Sequence, residues 1–103
     1  MSLRPELKDV LELIVQYDVR QRERMPRKNI AGFIDSGKME ILIRRKQSVM
    51  QKVDTLIHEA IHAYYFDRGV NVSEEKVEED TRRLMRELYG ERDYLDDMAQ
   101  NFG

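Results

Sequence analysis

The segment His58-Glu59-Ala60-Ile61-His62 holds the residues of this 103-residue chain whose types and spacing can do chemistry. On a helix, residues i and i+4 project from one face a turn apart, so two imidazoles there can converge on one metal ion. Glu59, directly after the first histidine, is placed to take a proton from a water that the ion activates. These are the only two histidines in the chain. Two histidines four apart, with glutamate after the first, arise in roughly two of a thousand shuffles of such a composition, so the spacing reads as a site.

A zinc ion, Zn²⁺, needs a third protein ligand and one open position. The chain has no cysteine and no third histidine, so that ligand has to be a carboxylate. The same lack of cysteine removes disulfides, thiolate metal knuckles and a thiol nucleophile. Carboxylates are dense shortly after the motif: Glu74, Glu75, Glu78, Glu79 and Asp80. If two antiparallel helices carry the two groups, a partner level with His62 lies five or six residues into the second helix. Glu78 fits that depth and flanks the inward face; Glu79 fits in height but points further away. Glu74 is on the correct face but nearer the loop, and is kept as the reserve. A solvated helix N-terminus, where acids complement the helix dipole, accounts for three or four of the five without any ligand role.

The elements that position these residues can be read from capping and periodicity. Ser48 and Gln51 form a capping-box pattern, opening a helix that runs to about Arg68 and stops at Gly69. Val53, Ile57, Ala60, Ile61 and Tyr64 make its apolar stripe, while His58 and His62 share a different face with Thr55 and Tyr65. Ser73 caps a second helix, Glu74 to Tyr89, ended by Gly90. Upstream, residues 6–17 place Leu7, Val10, Leu11, Ile14 and Tyr17 at helical spacing, with Ser2 as an N-cap candidate. Residues 18–28 lose the pattern in a run of arginines and read as a loop. Two short β-like runs, 30–34 and 39–45, flank Asp35-Ser36-Gly37-Lys38, a turn in which Gly37 can take positive φ. The charged residues Lys38, Glu40, Arg44 and Arg45 mark the second run as an exposed edge strand. The expected fold is α+β: an N-terminal helix, a small sheet with an edge strand, the histidine-bearing helix, then a glutamate-bearing helix, in one domain over 1–103.

On these residues the chain resembles the zincin metallopeptidases, and within them the gluzincin branch. In that branch a helix bearing His-Glu-x-x-His is followed by a helix bearing a glutamate ligand. The resemblance covers roughly residues 30–89, and its specific motif is five residues long. Metzincins require glycine and histidine where Tyr65 and Arg68 stand here. The thermolysin-type pattern places an aspartate four residues after the ligand glutamate, where Arg82 follows Glu78; taking Glu74 as ligand would put Glu78 in that bracing position. The resemblance implies a zinc-dependent hydrolase acting on a peptide or protein substrate. His58, His62 and Glu78 would hold Zn²⁺, and Glu59 would be the general base. Tyr64, Tyr65 and Tyr94 are the candidate oxyanion donors, Tyr65 first because it shares the histidine face. The strand at 39–45 is the candidate edge for an extended peptide.

Composition bounds the alternatives. No apolar run approaches a bilayer span and no secretory pattern follows Met1, so the expectation is a cytoplasmic protein that does not enter a membrane. A net charge of −2 argues against a dedicated nucleic-acid binder. Arg20, Arg22, Arg24, Arg27 and Lys28 are nevertheless the basis of one competing reading, a non-enzymatic nucleic-acid or partner-binding domain. The other is a zinc-binding latent or regulatory module, its cleft blocked by residues 91–103 or by self-association. So short a domain gains stability as a homo-oligomer.

Overall fold

Six elements follow one another in the computed structural model, which describes residues 3–90. They are α1 (Leu7–Ile14), β1 (Asp18–Arg22), β2 (Gly32–Asp35), β3 (Glu40–Arg44), α2 (Val49–Asp67) and α3 (Glu74–Tyr89). This is the expected α+β order, with one strand more than the sequence pattern shows. The 91–103 tail, with Tyr94, and Ser2 lie outside the described residues.

The strands form one mixed sheet in the order β1-β3-β2. β2 and β3 are the expected hairpin, paired antiparallel from Gly32 opposite Ile43 to Asp35 opposite Glu40. β1 lies on the other side of β3, parallel to it, with Asp18 opposite Glu40 and Arg22 opposite Arg44. Two expectations are corrected here. Residues 18–22 are a strand rather than part of a loop, and β3 is the central strand rather than an edge. One cause explains both: all five residues of β1 are exposed. β1 is held by backbone pairing and buries no side chain, so no apolar alternation marks it. Hidden in this way, it leaves β3 without a visible second neighbour. The turn differs too. Lys38 N–H donates to Asp35 Oδ1 at 3.0 Å, as turn chemistry predicts, but the left-handed residue is Met39, φ +53°, and not Gly37.

The inner face of the sheet carries Ile41 and Ile43 onto α2, whose Ile57, Ala60 and Ile61 are fully buried with α1's Val10 and α3's Val77, Leu84 and Met85. Each large side chain so buried contributes about 1.5–3 kcal/mol. The capping box is formed in both directions: Gln51 N–H donates to Ser48 Oγ at 3.1 Å and Ser48 N–H to Gln51 Oε1 at 2.9 Å. Ser73 caps α3 through Lys76 N–H. α1 is shorter than expected and takes Glu6 as its N-cap. Arg83 of α3 donates to Pro5 O at 2.5 Å, tying the segment before α1 onto the helical layer.

Asp80 was expected on a solvated helix face and instead is 1% exposed. Its carboxylate accepts the Tyr65 hydroxyl at 2.7 Å and sits 3.2 Å from Lys76 Nζ and 3.5 Å from Arg83 Nη2. A buried charge needs such partners: Lys76 and Arg83 balance it from α3 itself, and the Tyr65 hydroxyl ties it to α2.

Candidate metal centre

The face of α2 opposite its apolar stripe presents His58, Glu59 and His62 to a cleft of about 900 Å³. The imidazole rings stand 5.1 Å apart, edge to face at 66°. The first residue of α3 meets them: Glu74 Oε1 lies 2.6 Å from His58 Nε2, and Glu74 Oε2 lies 3.1 Å from His62 Nε2. Among the described residues, His58, His62 and Glu74 form a group that could hold a metal ion, with one ligand atom from each within 4.8 Å of the others.

The expected third ligand was Glu78, and the structure brings Glu74 there instead. Glu78 lines the same cleft one turn further along α3, and Glu79 does not line it. A depth of five or six residues holds only where the two helices start level at the loop. The linker in fact folds back along the last turn of α2, with Val70 N–H donating to Tyr65 O at 3.0 Å and Gly69 N–H to Phe66 O at 3.0 Å. The start of α3 is thereby already level with the histidines.

Tyr65 does not serve the cleft. Its hydroxyl is committed to Asp80 in the helix interface, and burial followed by that hydrogen bond pushes its pKa up. Tyr64 is likewise turned away, its hydroxyl 3.4 Å from Arg4 O and its ring beneath the Arg68 guanidinium.

Burial raises the Glu59 pKa, an effect the nearby Glu74 adds to and His58 opposes. A carboxyl shifted this way holds a proton more readily than a free glutamate, as a group that accepts and then returns one requires. Burial also lowers the His62 pKa, which favours the neutral imidazole that a metal needs.

The opposite wall is β2, and this the sequence reading missed. A Cβ added at Gly32 would overlap Thr55 Cγ2 and stand 3.2 Å from Glu59 Cγ, so the strand backbone lies directly against the turn of α2 that carries Glu59. A glycine inside a β-like run is a sign of such close approach. Thr55 is fixed in turn by its hydroxyl, which donates to Gln47 Oε1 at 3.1 Å. Arg44 N–H donates to Ala31 O at 2.8 Å, so by antiparallel alternation Ala31, Phe33 and Asp35 bond to β3. The backbone groups of Gly32 and Ile34 then face the sheet's free edge. Phe66 and Val70, both exposed, give the cleft apolar surface beside the histidines.

No protein-family model, curated protein or solved structure matches this chain. Two imidazole nitrogens and a carboxylate are the donor set of a catalytic zinc site. With one donor atom from each within 4.8 Å of the others, the three groups are close enough to share one ion. No helix among the described residues is long and apolar enough to cross a membrane.

Proposed function

We propose that this chain is a zinc-dependent metallopeptidase. The observation that carries the reading is the meeting of Glu74 with His58 and His62 beside the half-buried Glu59. His58, His62 and Glu74 would hold the ion, which when bound supplies Lewis acidity to a carbonyl and lowers the pKa of a water. Glu59 would accept a proton from water at its carboxylate and return it to the departing amine, its raised pKa suiting both transfers. β2 orients the substrate: its outward N–H and C=O groups at Gly32 and Ile34 can pair with an extended peptide, next to Glu59. This moves the peptide-receiving edge from the 39–45 strand to 32–35.

Zinc titration of the metal-stripped protein, followed by peptide hydrolysis assays, tests the proposal. One zinc per chain and cleavage that Glu59→Gln abolishes without loss of zinc are expected. Absence of a stoichiometric site would end the reading, and cleavage retained by Glu59→Gln would take the base elsewhere.

A further inference from the structure

Positive charge gathers at one end of the sheet without matching negative charge. β1 and β3 run parallel, so their C-terminal ends lie together, and Arg22 is the register partner of Arg44. Arg45 N–H donates to Arg22 O at 2.8 Å, and exposed Lys46 follows. The loop from β1 to β2 crosses this end and brings Arg24, Arg27 and Lys28 to it; Arg44 Nε pins that loop by donating to Ile30 O at 2.9 Å. The acid among these residues is Glu23, 3.7 Å from Arg45 in an exposed pair. Seven of the chain's 18 basic residues thus meet one of its 20 acidic ones, in a chain of net charge −2.

The arrangement is fixed by the backbone. Register partners project to the same face of a sheet. Ile41 and Ile43 point to the helices, and Leu42 lies outside their core cluster. Arg44 and its partner Arg22 therefore stand side by side on the face opposite α2. Like charges in such positions repel. Among the described residues, no ion pair engages Arg22, Arg24, Arg27, Lys28 or Lys46.

We infer that this basic end of the sheet docks an acidic stretch of polypeptide, continuous with the segment that enters the cleft. The cleft's role as a peptide site rests on the peptidase reading; the binding of acidic chain does not. Arg27, Ile30 and Ala31 belong both to the crossing loop and to the cleft wall, so the two surfaces join. Of the seven cations Arg27 itself lines the cleft, so chain running past Gly32 beyond the end of the sheet meets Arg27 first and the remaining cations along the crossing loop after it. Acidic side chains on one flank of the bound segment would meet the guanidinium groups there. The basic residues 20–31 and 44–47 have no aromatic among them on which bases would stack, the nearest being Phe33 and Phe66 of the cleft.

The test is fluorescence anisotropy with a labelled oligoglutamate peptide, run on the full chain with and without zinc. Saturable binding that weakens with salt is expected. The exposed-site reversal Arg22→Glu/Arg24→Glu/Lys46→Glu should weaken it at least about tenfold. Lys8→Glu/Lys38→Glu/Arg82→Glu, which makes the same change in net charge elsewhere, should weaken it less than about twofold. No saturable binding, equal loss in both variants, or tighter binding of a single-stranded oligonucleotide of equal charge would overturn the inference. Acidic-peptide binding without cleavage of any peptide would sink the peptidase reading alone. Cleavage of neutral and acidic peptides at equal kcat/KM, with no binding preference, would sink this one alone.

Discussion

Replacing Gly32 by alanine should damage the fold through one identifiable atom. The new methyl would overlap Thr55 Cγ2 and come within 3.2 Å of Glu59 Cγ. Thr55 is 8% exposed, β-branched and held by its hydrogen bond to Gln47, so it has little room to turn aside. Overpacking of this kind costs about 1–3 kcal/mol. In a domain of this size each kcal/mol is worth about 4–8 °C, so Gly32→Ala should melt about 4–24 °C lower. Thr55→Ser removes the obstructing methyl but keeps the hydroxyl, and alone should cost about 1 kcal/mol for the lost buried methyl. Together the two changes relieve each other, because the cavity left by Cγ2 receives the alanine methyl. Chemical denaturation of the wild type, both single variants and the double variant closes the cycle. The double variant should be more stable than the sum of the single effects by at least about 1 kcal/mol. Additivity within about 0.5 kcal/mol would refute the close approach of β2 to α2, and with it the placement of the cleft wall.

Three further outcomes follow from other contacts. Glu74→Gln should weaken zinc binding by at least about 100-fold and Glu78→Gln by only a few-fold, read by competition with a chromophoric chelator; the reverse order would reassign the ligand. Asp80→Ala strands Lys76, Arg83 and the Tyr65 hydroxyl, and should cost about 2–4 kcal/mol in denaturation, the lower end applying because both cations reach water; a loss under about 0.5 kcal/mol would contradict the interhelical lock. Glu59 has a folded-state pKa above its unfolded value, so its contribution is full below the ordinary glutamate range and is lost as pH rises through the folded value. Glu59→Gln, which cannot titrate, should therefore gain stability over the wild type as pH rises from acid to neutral in chelator-treated protein, and a gap constant with pH would refute the burial of that carboxyl.

What could be read from the sequence is what local chemistry decides. Ser48 with Gln51 and Ser73 before an apolar-periodic run need only their own neighbours to cap a helix, and both caps form as expected. The i, i+4 spacing of His58 and His62 is a property of one helix. The rest depends on how elements meet. β1 shows nothing in its sequence because pairing with β3 fixes its backbone while its side chains stay in water. The choice of Glu74 over Glu78 turned on the path of a short linker, since one helical turn separates the two and their side chains share a face. Tyr65 was assigned to the histidine face by angle alone, but its long side chain follows the hydrogen bond to Asp80 into the helix interface. Asp80 looks like one more acid near a solvated helix start: Lys76 and Arg83 stand at helical spacing from it, but nothing local reveals that Tyr65 of α2 reaches it and that it is buried.

The linker that delivers Glu74 to the histidines also bears on the order of assembly. All three candidate ligands fall between residues 58 and 74, within one helical hairpin, whereas the sheet requires residue 18 to find residue 40 and the cleft requires residue 32 to find residue 55. Contacts short in sequence form early, because little chain entropy is lost in closing them. The α2–α3 hairpin can therefore bring its three donors together before β1 reaches β3 and before β2 docks on α2, and an ion held there would brace the helices onto which the β2–β3 hairpin packs. On this topology the gathering of the three donors is the more local event, and the walling of the cleft by β2 the less local one.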